Sequence, residues 1–170
     1  MTFKRNILFC AAATSLTILG AGGAAAIQEQ AAPEEIQDIW KPADTPRGGV
    51  SWETLEATGE TQRLEDGVIY AKPIFTPTVK AMEGKRIKVA GWMMPLEATD
   101  KQSYFVLLGY PPGCPFHFHA APSQFIEVFA DTPFPTDEQK LFVVSGVLEL
   151  TGEDESGIFY RLRDARPERG

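Results

Sequence analysis

The chain is short of the residues from which reactive sites are usually built. It holds two cysteines and two histidines in 170 residues. None sits in a CxxC dithiol or an HExxH helix, and no GxSxG elbow or phosphate loop is present. That argues against a dithiol oxidoreductase, a zincin, an α/β-hydrolase and a P-loop enzyme. Basic charge is also scarce. Sixteen Lys and Arg stand against 23 Asp and Glu, for a formal charge of −7 at pH 7. Phosphate binding needs clustered Lys and Arg, so the balance argues against nucleic acid and against an anionic membrane surface. Beyond the first twenty or so residues, no run is long or apolar enough to span a bilayer.

What is present begins with MTFKRNILFCAAATSLTILGAGGAAAIQEQ. Lys4 and Arg5 precede an almost wholly apolar Ile7 to Leu19, and Ala24-Ala25-Ala26 supply the small residues of a cleavage site. This is the pattern of a secretory signal peptide over 1–26, so the expectation is export to the periplasm by a Sec-type route. Phe9 before Cys10 disfavours a lipoprotein, and no Arg-Arg pair marks twin-arginine export. Cleavage after Ala26 would remove Lys4, Arg5 and Cys10, taking the formal charge to −9 and leaving Cys114 as a solitary thiol. With no intramolecular partner in an oxidising compartment, that thiol must be buried, ligated or reactive.

Residues 27–50 hold three prolines and two glycines among scattered charges, and read as a flexible leader. The remainder, 51–170, reads as one domain. Ser51 caps a short helix in SWETLEATGE, with Trp52 and Leu55 on one face and Gly59 ending it. IYAKPIFTPTVKAMEGK reads as irregular, broken by Pro73 and Pro77. From Lys85 the hydrophobic period becomes two. KRIKVAGWM, YFVLLGY, QFIEVFA, KLFVVSGVLELT and IFYRLRDA are five predicted strands, the third ending at Asp131-Thr132-Pro133. Gly91 and Gly146 sit inside two of them, where coiling for closure is needed. The expected fold is mainly β, a small five-stranded antiparallel barrel of the oligonucleotide/oligosaccharide-binding type with an irregular N-terminal extension. An open sandwich is the alternative.

Residues 113–119 read GCPFHFH and contain Cys114, His117 and His119 within six positions. In an extended strand Cys114, Phe116 and Phe118 would share one face as core, with both imidazoles solvated on the other. The metal-binding reading uses the same spacing differently. H-x-H places two imidazoles on one side, and Pro115 can swing the thiol round to join them. Cys and two His suit zinc or copper. Met93, Met94, Glu97 or a water would complete the site, a thioether favouring copper and an oxygen favouring zinc. Cys114 as a nucleophile with His117 as its base is the competing chemistry, but no orienting third group is evident. A non-enzymatic protein is therefore expected. The Asp/Glu run at 153–155 reads as a solvated turn.

Several blocks together resemble a known family. They are PIFTPTVKAMEGKRIKVAGWMMPLE, YFVLLGY, Cys114, SQFIEVF and VVSGVLELTGEDESGIFYRLRDA, in that order. Their order and spacing are similar to those of the bacterial domain-of-unknown-function family numbered 3299. That family's motif is a cysteine, a histidine two residues later, a proline-rich run and Asn-Gln before a strand. Cys114 and Gln124 match the frame, and Ser123 stands for the Asn. Phe116 holds the histidine position, with His117 and His119 displaced, and the proline run survives as Pro122. The resemblance implies an exported protein often encoded beside ABC-type transport components and linked to metal supply, with no established activity. The expected function is transition-metal binding at Cys114, His117 and His119, with Met93 as a candidate further ligand. The alternative is a metal-free module that docks a periplasmic partner through the 110–118 loop.

Overall fold

The structure, a computed structural model, describes residues 41–113, 120–152 and 156–168. Ser51 is extended (φ −81°, ψ 152°), and its side chain accepts a hydrogen bond from the Thr54 amide at 3.2 Å. It thereby caps helix α1, Trp52–Glu56, as the sequence predicts. Trp52 and Leu55 are buried.

A hairpin follows that the sequence reading does not contain. β1, Gly59–Glu65, pairs with β2, Val68–Ile74, through Asp66 and Gly67, both at positive φ (51° and 80°). An Asp-Gly pair between strand-forming residues is the two-residue turn whose twist matches a hairpin. Pro73 does not break β2, because its missing N–H belongs to the edge facing away from β1. A second short helix, α2 (Pro77–Lys80), is capped by Thr76, whose Oγ1 accepts from the Val79 amide at 3.2 Å. Pro77 is thus a helix-starting residue here rather than a breaker.

The five predicted strands are all present: β3 (Arg86–Pro95), β4 (Lys101–Leu108), β5 (Phe125–Pro135), β6 (Leu141–Leu150) and β7 (Tyr160–Glu168). They close into a barrel of order β3-β4-β5-β7-β6, with β6 returning to β3. This is the five-stranded barrel expected, with one correction. β5 and β7 run parallel, while the other four pairings are antiparallel. A ring with an odd number of strands cannot alternate direction all the way round, so at least one parallel pair is unavoidable. β5 also continues past Asp131 to Pro135. Its ladder to β4 is interrupted between Phe129 and Phe134, so Pro133 costs no bond to that strand.

Gly91 and Gly146 stand where the barrel bends. A Cβ on Gly91 would lie 2.5 Å from the Leu108 carbonyl oxygen, next to the point where β3 passes from β6 to β4. Gly146 lies at the register shift between β6 and β7. Ile87 and Val89 point inward as their alternation predicts, joining Phe105, Leu107, Ile126, Val128 and Leu162 in the core.

Tyr160 joins the barrel to α1. Its hydroxyl donates to the Leu55 carbonyl at 2.7 Å and lies 2.6 Å from Thr58 Oγ1, fully buried. Burial pushes its pKa up to about 12. The folded pKa exceeds the unfolded value of about 10, so this group's contribution is intact below pH 10 and is lost as pH rises toward 12. Denaturant melts at pH 9 and 11.5 are expected to show a fall of about 2 kcal/mol from this group. In Tyr160→Phe that part of the fall should be absent.

Candidate functional site

The connection from β4 to β5 carries the candidate ligands, and its two feet are held by one carboxylate. Tyr110, just after β4, donates its hydroxyl to Glu56 Oε1 at 3.0 Å, with Oε2 at 3.2 Å. Gln124, just before β5, donates from Nε2 to Glu56 Oε2 at 3.2 Å. Its Oε1 accepts from the Ala121 amide at 3.1 Å, across the 3₁₀ turn Pro122–Gln124. The backbone closes the same gap, since the Gly109 amide donates to the Gln124 carbonyl at 2.9 Å. Glu56 is the last residue of α1, and α1 is fixed by Trp52, whose indole N–H donates to the Ala90 carbonyl at 2.7 Å. Partial burial, with the bond to Glu56, raises the Tyr110 pKa, so the phenol stays neutral and keeps its proton for that bond.

Cys114, His117 and His119 lie outside the described residues. The described ends of their loop are Tyr110 and Pro111, half-buried, and Pro112 and Gly113, exposed. Met93 is on β3 opposite Leu107, 1 % exposed and packed in the barrel core. Met94 is half-buried and Glu97 exposed. The run at 153–155 also lies outside the described residues. Among the described residues no group of three His, Cys, Asp or Glu side chains could hold a metal ion. The loop's one thiol and two imidazoles are, as residue types, a donor set that fits zinc or copper.

A second polar cluster lies on the outer face of β4, β5, β7 and β6, and sequence reasoning missed it. Glu127 is 5 % exposed. Its carboxylate accepts from the Tyr104 hydroxyl at 2.5 Å and from Arg161 Nε. Arg161 also lies 3.8 Å from Glu149 Oε1, and Arg163 donates to Glu149 Oε2 at 2.6 Å. The Arg163 guanidinium sits 4.0 Å over the Phe129 ring, which stacks on Tyr104 at 4.7 Å. The hydrogen bond to Glu127, with burial, raises the Tyr104 pKa. Alternation in FIEVF and YRLR places Glu127, Arg161 and Arg163 on outward faces. Their meeting depends on the parallel pairing of β5 with β7, in which Glu127 stands opposite Arg161. The carboxylates and guanidiniums satisfy one another, which makes this cluster a brace across four strands.

The closed five-stranded barrel, with a long connection clamped between its second and third strands, defines a small protein of the oligonucleotide/oligosaccharide-binding barrel type. The chain belongs to the family of proteins of unknown function DUF3299, whose family model matches residues 28–163. A solved structure of a DUF3299 family protein from Pseudomonas aeruginosa PAO1 is similar, with 21% identity and a TM-score of 0.44. That likeness covers 58% of this chain and 68% of the other. No curated protein matches the chain.

Proposed function

We propose that the chain is an exported, non-enzymatic barrel that binds zinc or copper through Cys114, His117 and His119, and handles the metal beside an ABC-type transporter in the periplasm. The observation that supports this most is the clamp on Glu56. A loop carrying its three soft donors within six positions starts and ends on the same buttressed carboxylate. Holding the feet of a ligand loop lowers the ordering entropy that metal binding must offset. The chemistry asked of the loop is ligation alone, with the thiol bound as thiolate and both imidazoles neutral.

The test uses the purified protein with Zn²⁺ or Cu⁺ and a thiol reagent. Metal at micromolar levels is expected to protect Cys114 from the reagent and to raise the melting temperature. Cys114→Ser should remove the thermal shift. His117→Ala or His119→Ala should weaken protection at least tenfold, and Glu56→Gln should weaken it less while leaving all three donors in place. Metal that neither protects the thiol nor shifts melting would defeat the proposal. Docking of a periplasmic partner through residues 110–118 would then be the reading to pursue. A thiol that reacts unusually fast without metal, and slows in His117→Ala, would point to nucleophilic chemistry instead.

A further inference from the structure

Among the described residues the hairpin has one strand edge without a partner, and its turn fixes which backbone groups that edge presents. Among these residues β1 pairs only with β2, in a two-stranded sheet, and all seven of its residues are exposed. In a two-residue hairpin turn the flanking pair, Glu65 and Val68, exchanges ladder hydrogen bonds. Arg63 and Thr61 therefore also point toward β2. The N–H and C=O groups of Glu60, Gln62 and Leu64 point away from it, and among the described residues no backbone hydrogen bond reaches them from another element. The outer edge of β2 differs. Ala71 bridges Ser156 there, and Pro73 has no N–H to offer. Pro73, which blunts an edge outright, lies on β2. β1 has no proline or lysine, though Glu60, Arg63 and Glu65 put charge on it, so its pairing depends on a register that opposes no like charges.

We infer that this edge pairs antiparallel with β1 of a second copy, about a twofold axis through Gln62. A twofold axis between antiparallel strands is perpendicular to the sheet, so it keeps each face on its own side. Only residues of equal parity can then stand opposite. With Gln62 opposite Gln62, Glu60 stands opposite Leu64 at both ends, and every outward backbone group of the three residues finds a partner. Shifting the axis to residue 63 sets Arg63 against Arg63. Shifting it to residue 61 puts Leu64 opposite Thr58, beyond the strand. Charge supports the chosen register: no like charges are directly opposite, and Arg63 faces Thr61 while keeping its ion pair with Glu65 and its place 4.6 Å over the Tyr70 ring. Leu64, 73 % exposed in the single chain, then packs on the methylenes of Glu60. A lone two-stranded hairpin is marginal in water, and pairing to a second copy adds backbone hydrogen bonds along its exposed edge.

Sedimentation velocity on the purified protein across micromolar to millimolar concentrations tests the pairing. The wild type should associate to a dimer. Gln62→Pro removes an outward N–H and no β1–β2 hydrogen bond, so it should weaken the dimer at least tenfold. Gln62→Lys places like charges across the axis and should weaken it as well, with the backbone unchanged. Amide exchange gives an independent reading. The Glu60, Gln62 and Leu64 amides should gain protection with concentration, while those of Thr61 and Arg63 are protected throughout. A wild type that stays monomeric, or a dimer unmoved by both substitutions, overturns the inference.

Discussion

Trp52→Ala is expected to destabilise the protein by about 3 to 5 kcal/mol, the usual cost of emptying a core site of this size. Trp52 is 1 % exposed, and it is packed so tightly that a Cβ on Gly109 would lie 2.6 Å from its ring. Its indole N–H satisfies the Ala90 carbonyl on β3. Helix α1 has five residues, far below the length at which a helix stands alone, so its position depends on tertiary contacts. The consequence reaches the loop, because Glu56 is carried on the same helix. Trp52→Phe keeps most of the packing and loses the bond to Ala90, so it should cost about 1 to 3 kcal/mol, the desolvation cost of an orphaned acceptor plus a small cavity. Urea denaturation measures both. A cost for the alanine variant below about 1 kcal/mol would mean that α1 is held by something other than its tryptophan.

Glu127→Ala is the second large effect, at about 3 kcal/mol. Removing one partner of a shielded charge pair leaves the other unpaired, at a cost of about 3 to 5 kcal/mol when burial is complete. Arg161 is 23 % exposed at its side chain and retains Glu149 at 3.8 Å, which places the value at the low end. The Tyr104 hydroxyl also loses its acceptor, but Tyr104 is exposed and water can replace it, so this adds little. Replacing the cluster together, as Tyr104→Phe with Glu127→Leu and Arg161→Met, should recover most of the loss, since an apolar trio needs no compensation. Denaturation midpoints of the single and triple variants decide the matter. A triple variant less stable than Glu127→Ala would show that the charges contribute more than their mutual neutralisation.

The two effects also mark what the sequence could disclose. The alternation of Ile87 and Val89, the cap at Ser51 and the bend glycines are local signals, and local periodicity carries them. The hairpin was legible too, in LEDGVIY, where Asp-Gly divides two strand-forming runs. Pro73 disguised it, because a proline is read as a breaker unless its edge is known. The odd strand count requires at least one parallel pair, but no residue marks it as β5–β7. Contacts between distant positions were out of reach. Glu56 meets Tyr110 54 positions away, and Glu127 meets Arg161 34 positions away. Nothing in either neighbourhood names the partner, so both the clamp and the brace needed the fold. The concentration of Cys114, His117 and His119 was plain from the sequence. The direction Pro115 gives them lies outside the described residues.

X-ray absorption at the zinc edge, on protein loaded with one equivalent of Zn²⁺, tests the central claim most directly. The expected first shell holds one sulfur at about 2.3 Å and two imidazole nitrogens at about 2.0 to 2.1 Å, with one further light ligand. Cys114→Ser should lose the sulfur scattering, and His117→Ala or His119→Ala one imidazole. A first shell of oxygen and nitrogen alone, the same in wild type and Cys114→Ser, would contradict the account and leave the thiol among the phenylalanines.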